Sequence, residues 1–392
     1  ADAGNDLIFD TTSIDGALTA TAGNDISQAA ADDTLVIAGT STLSASNDIS
    51  LGNDGNDFGD LVTVTTAQNV TLNDANDLLF AGTVLGDLTA DAGNDLIFDT
   101  TSIDGALTAT AGNDISQAAA DDTLSVSGTS TLTTGNNITL GNDGNDFATV
   151  TVVTAQDVDL FDQNSVSLAN SVIEGDLRLE AVESVTVSTT RVGRSTTGGT
   201  FIDADGNVLI IAQNQDVTIS DLRASSLTIG GVSSANGVPT AVGDSVSLAN
   251  VIANEILMAA TGAVSLNGVL TSGSITVDAA TDLSLTNTVT QNLLAGNISG
   301  TLSLNRYRQS EDLVLSAGDI RLAFIDVPSI TLTATAGDIS NVSDDAIDFA
   351  AAISDDGFTV SGPQGEGDTV VDASVDTRFS AFENFILVPG DS

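Results

Sequence analysis

Residues 1–35, ADAGNDLIFDTTSIDGALTATAGNDISQAAADDTL, return unchanged at 90–124. The echo then continues at the same spacing of 89. GTSTL at 39–43 recurs at 128–132, LGNDGNDF at 51–58 recurs at 140–147, and VTTAQNVTL at 64–72 is answered by VVTAQDVDL at 152–160. A closed globular core has no place to receive a second copy of a quarter of itself. A unit that stacks on its neighbours does. The duplication therefore points to an open, repetitive architecture before any single residue is considered.

A shorter beat runs inside the long one. Asn-Asp pairs stand at Asn5-Asp6, Asn24-Asp25, Asn47-Asp48, Asn76-Asp77 and Asn94-Asp95, with steps of 19, 23, 29 and 18. The residue two after each Asn is apolar: Leu7, Ile26, Ile49, Leu78 and Leu96. Alternating runs such as ALTATAG and TLSAS precede several pairs. Short period-two runs on either side of a Gly/Asn/Asp corner read as strands, not helix. The second half keeps the beat with looser spelling in NQDVTI (214–219), ATDLSL (280–285), AGDIRL (317–322) and AGDISN (336–341).

A coil of roughly 22 residues cannot bury its apolar side alone, so each coil must lie on the next. The expected fold is all-β, a parallel β-helix of about 18 rungs of roughly 22 residues, with ~4.8 Å per rung and a rod of roughly 85 Å. Val, Ile and Leu would fill the inside in columns, Ser and Thr would form hydroxyl ladders outside, and Asn would stack at corners. Residues 1–89 form the first unit, 90–177 its second copy, and 178–392 a divergent continuation. Insertions are expected at 191–207 and 230–245, with TFIDADGNVLIIA (200–212) as a hairpin about Asp205-Gly206. Asp203, Asp205 and Asn207 have the alternate spacing of a calcium loop, but Val208 stands where that loop needs Gly, which favours the plain hairpin.

The spelling LTATAGNDISQ…GTSTLSASNDISLGNDGNDF…VTVTTAQNVTLNDANDLLF resembles the repeats of filamentous-haemagglutinin-like exoproteins over residues 1–170, and more loosely beyond. The resemblance implies a right-handed β-helix, secretion to the bacterial cell surface, and a role in adhesion, biofilm or fibre formation. The amino-terminal secretion domain of that family is not seen.

Charge narrows the partners. The chain carries 54 acidic residues against 8 arginines, a net charge of −46, and residues 1–177 contain 28 carboxylates and no base. Such a surface repels nucleic acid and anionic membranes and attracts cations. No apolar run approaches the ~20 residues of a membrane helix. There is no Cys, His or Lys, which removes thiol chemistry and the usual acid–base groups. Paired carboxylates cleaving a glycoside would want an aromatic cleft, and the chain has no Trp and one Tyr. The chain is therefore read as no enzyme. It opens on Ala1 and reads as a piece of something longer.

Two groups of residues are candidates for sites. The doubled GNDGNDF corners place Asp54, Asp57, Asp143 and Asp146 where stacked carboxylates could share Ca²⁺, the one cofactor considered; solvated turn formers are the other reading. Arg191, Arg194, Arg306, Tyr307 and Arg308 lie in the half that holds every Arg, and could meet the acidic half of another copy in a self-association that builds filaments. The expected function is a structural segment of a secreted fibre or adhesin shaft. The alternatives are a module binding surface glycans or a protein, and a Ca²⁺-dependent surface-layer component.

Overall fold

The computed structural model describes residues 1–195, 202–203, 206–232, 239–240, 244–327, 330–336, 339–341, 358–361 and 386–387. Every regular element among them is a strand. Among the described residues no helix is long and apolar enough to cross a membrane. The chain divides into two compact units, Ala1–Gly206 and Asn207–Ser392. Each is a parallel β-solenoid.

In the first unit the registers define an unbroken inward column: Leu7, Ile26, Ile49, Val70, Leu88, Leu107, Ser130, Val150, Leu168, Val187. Nine turns thus take 180 residues, or 20 per turn, against the ~22 expected from the Asn-Asp beat. The beat overcounts because its step of 29 is not a turn. Asn47-Asp48 is followed on its own corner by Gln68-Asn69, whereas Asn76-Asp77 opens a different corner that continues to Asn94-Asp95.

Each turn has three strand segments. One turn runs through Leu88–Ala92 and then Leu96–Ile103, which bends between its two ends, before Leu107–Ala111 begins the next. Alternation sets the inside: Leu88, Ala90 and Ala92 are buried. Threonines face outward in register as Thr89, Thr108, Thr131 and Thr151. These are the hydroxyl ladders the pattern implies. Phe80 and Phe98 stack on successive turns in edge-to-face contact, with ring centres 6.3 Å apart.

The long repeat and the turn are out of step. Four turns carry Leu7 to Leu88, which is 81 residues, but the copy of Leu7 is Leu96. Leu96 stacks between Leu78 and Ile115, in a neighbouring column. Likewise Leu107, the copy of Leu18, has entered the column of Leu7 and Leu88. The 89-residue unit therefore spans four turns and one of three faces, and its second copy sits one face further round.

Two copies of one residue break the apolar columns. Ser41 lies between Leu18 and Val62, and Ser130 between Leu107 and Val150; both hydroxyls are buried and neither has a hydrogen-bond partner. A buried polar group without a partner weighs against folding. Ser130→Ala is expected to raise stability by about 1 kcal/mol, read as a higher urea midpoint at constant m-value. A lower midpoint would show that the hydroxyl has a bonded partner.

The second unit stacks Val217, Val246, Val264, Leu283, Leu302, Ile320 and Ile339. Its steps are 18 or 19 residues except the first, of 29, which contains the antiparallel pair Gly231–Val232 with Pro239–Thr240. In the first unit Arg194–Ser195 pairs antiparallel with Ile202–Asp203. Each expected insertion thus contains one antiparallel pair, while Arg191, Val192 and Asn207, at the ends of the first, lie in the parallel stack. The hairpin expected at 200–212 is placed differently: its two arms are 194–195 and 202–203, and Asn207–Ala212 belongs to the parallel stack, on Ser226–Ile229. Asp205 lies outside the described residues.

Candidate functional site

The Asn-Asp pair is a device for stacking acids. Carboxylates one turn apart repel unless donors come between them. Asp25 Oδ1 accepts from Asn47 Nδ2 at 2.7 Å and from the Asp48 backbone N–H at 3.1 Å, both on the next turn. Asp6 accepts from Asn24 in the same way at 2.6 Å, and Asp48 from Asn69 at 2.9 Å. A second corner repeats the pattern: Asp77 with Asn94, Asp95 with Asn113, and Asp114 with Asn136, at 2.6, 2.7 and 2.8 Å. Asn supplies the donor that the Asp of the preceding turn requires, and the paired spelling follows. Corner glycines keep the turns close: a Cβ on Gly112 would lie 2.2 Å from the Gly93 carbonyl oxygen.

The doubled GNDGNDF stretches hold a different structure. Asn56 and its copy Asn145 are wholly buried. Asn145 Oδ1 accepts from the Leu124 N–H at 2.8 Å and Gln117 Nε2 at 2.9 Å, while its Nδ2 donates to Gln117 Oε1 and to the Leu140 carbonyl, both at 2.9 Å. Asn56 does the same with Leu35, Gln28 and Leu51. Each is an amide plug with every donor and acceptor in use, and the Phe two residues on (Phe58, Phe147) packs into the core.

The four candidate calcium aspartates flank these plugs. Asp54 and Asp143 are exposed at the turn, and Asp57 and Asp146 are half-buried. Asp54 accepts from Asn73 Nδ2 at 3.2 Å. Among the described residues, no three acidic side chains converge closely enough to hold a metal ion.

The buried acids are others. Asp74 accepts from the Phe58 N–H and the Asn76 N–H, both at 2.8 Å; Asp162 accepts from Phe147 at 2.6 Å and Asn164 at 2.7 Å. Burial pushes both carboxyls above the usual range, against the pull of those N–H donors, and neighbouring acids add to the rise: Asp57 and Asp77 for Asp74, Asp146 and Glu183 for Asp162. A carboxyl that binds its proton more tightly folded than unfolded adds stability as pH falls through its folded pKa, and loses it as pH rises. The melting temperature is expected to rise as pH falls from 7 toward the ordinary carboxylate range near about 4. That rise should shrink in Asp74→Asn/Asp162→Asn. A wild-type melting temperature that falls over this interval would refute the assignment.

The candidate self-association residues separate. Arg191 is exposed, in register with Val172. Arg194 pairs through its backbone with Asp203, and its side chain lies outside the described residues. Arg306 and Arg308 are exposed, and Arg306 sits at a corner with φ of 52°. Tyr307 is the correction. It is 1% exposed, donates its hydroxyl to Gln309, and burial pushes its phenol up. Strand alternation turns the residue between two outward arginines inward, where it packs in the core out of reach of a partner. Arg178 is held by Asp159 at 2.8 Å and by Glu180.

Residues 1–65 and 85–154 match a family described as repeats of unknown function (DUF5649). The match takes in 135 of the 392 residues, and its two stretches end one repeat unit apart. No curated protein and no solved structure matches the chain. The chain is thus a repeat β-solenoid, similar over its duplicated part to that family.

Proposed function

We propose that this chain is a structural segment of a secreted surface fibre or adhesin shaft, extracellular and without enzymatic activity. The observation that carries this reading is the register of the duplicated unit, which continues the solenoid without a break while rotating by one face. Such a unit can be added again without disturbing the turns already present. The resemblance of 1–170 to filamentous-haemagglutinin-like repeats supports the bacterial cell surface as its place. Its mechanical strength would come from the ladder of backbone hydrogen bonds along the stack, locked at the corners by the Asn-Asp bonds. Ca²⁺ enters as a counter-ion for exposed carboxylates, Asp54 and Asp143 among them.

Electron microscopy of the full chain, in millimolar Ca²⁺ and again after chelation, tests the reading. The first unit's nine turns, at ~4.8 Å each, span about 43 Å. Rods at least that long under both conditions are expected, and round particles would refute a shaft. A second reading, a module binding glycan or protein, is favoured by the two antiparallel excursions at 194–203 and 231–240. Glycan binding abolished by deleting either excursion would support it.

A further inference from the structure

Two outward ladders run along the second unit, and they differ in kind. One reads Thr218, Ser247, Ser265, Ser284, Ser303. Hydroxyls in that position are what a solvent-facing ladder calls for. The other reads Ile252, Leu270, Val289, with Arg223 one turn before and Arg308 one turn after. The three aliphatic side chains are 38%, 47% and 37% exposed. Arg306, also exposed, lies on the same turn as Arg308. An aliphatic strip held open to water on three consecutive turns, with cationic ends, has the composition of an interface rather than of a free surface.

Charge says what fits there. Three of the chain's eight Arg stand at the ends of this strip, while the chain as a whole carries −46 and its first 177 residues carry no base. The surface most complementary to the strip is therefore the chain's own acidic repeat, which also exposes aliphatic residues among its carboxylates: Ile8, 58% exposed, lies between the exposed Asp6 and Asp10. We propose that the Ile252–Leu270–Val289 strip, with Arg223, Arg306 and Arg308, docks the acidic first unit of a second copy of this chain. The proposal rests on the shaft reading only in that a shaft supplies neighbouring copies. The strip is short: four turns separate Arg223 from Arg308, about 19 Å. One such contact is weak and sensitive to salt, and an array of parallel copies makes it cumulative. Because the strip and its target are different surfaces, the contact is heterologous and does not close on a dimer.

Sedimentation of the full chain, from micromolar to millimolar and in low and high salt, tests it. Association is expected at low salt. Leu270→Ser, which extends the hydroxyl rule at an exposed position, should weaken it by about tenfold, and Arg223→Glu/Arg306→Glu by at least as much. Far-UV circular dichroism and melting temperature should be unchanged in both. A chain monomeric at every concentration overturns the proposal, as does association that ignores either variant. The two readings fail separately: rods that never associate remove the docking strip and leave the shaft, whereas round particles remove the shaft whatever the sedimentation shows.

Discussion

Asn145→Ala is expected to destabilise the first unit by about 3–5 kcal/mol, although it removes only a small polar side chain. The side chain makes four hydrogen bonds in a site with no access to water. Its loss leaves the buried Leu124 N–H without its acceptor, takes one of the donors from the Leu140 carbonyl, and strips two bonds from the Gln117 amide, which keeps its bond to the Asp122 carbonyl at 3.0 Å. Each buried orphan carries about 1–3 kcal/mol of desolvation that nothing offsets. Asn145→Asp separates shape from hydrogen bonding. It keeps an oxygen where Leu124 donates, but sets a carboxylate against Gln117 Oε1 and the Leu140 carbonyl. Its loss relative to wild type should therefore be larger at pH 7 than at pH 4, where the carboxyl takes up a proton. Chemical unfolding at both pH values reads the effect, and Asn56, the same plug in the first copy, provides an internal replicate. A loss below about 1 kcal/mol in either copy would mean that water reaches the site.

Gly82→Ala is expected to be worse still. Gly82 has φ of 130°, and a Cβ there would stand 1.9 Å from the Val64 carbonyl oxygen on the turn below. That oxygen is backbone within a ladder and cannot move aside without breaking the pairing of Val62–Ala67 with Leu78–Val84. Strain and lost pairing together should exceed about 4 kcal/mol, the range reserved for named structural failures. Because a solenoid's turns are coupled mainly to their neighbours, the damage should be local. Hydrogen exchange should quicken on the turns around 62–84 and least on the distant turns of the same unit. Gly4→Ala is the control, since nothing lies within 4 Å of its Cβ. Equal behaviour of the two variants would rule out the close approach.

The fold was legible because its rule is local. Alternation around Leu18, Ala20 and Ala22, apolar residues two after each Asn, and a copied unit together require stacked coils. The length of the turn was less legible, for an identifiable reason. Asn-Asp marks two corners rather than one, and at Gln68-Asn69 a corner is spelled differently, so counting pairs overstates the turn. The corner chemistry was half visible: stacked Asp were anticipated, but not that the preceding Asn of the next turn would donate to each. Asn56 and Asn145 could not be told from corner residues, because their partners Gln28 and Gln117 lie 28 residues earlier. The aliphatic strip was hidden for the same reason. Ile252, Leu270 and Val289 look like core residues singly, and only the register shows them stacked and outward.

The mismatch between the repeat and the turn bears on stiffness. Any real coil of unequal turns leans slightly to one side, and if each added unit leaned the same way a long array would curl into an arc. Here each further unit of 89 residues advances the lean by a third of a revolution, so that three units, about thirteen turns, return it to its starting direction. Carried round in this way, such a lean would cancel along an array of these units. A gene that lengthens such a chain by copying this unit would lengthen it in a straight line.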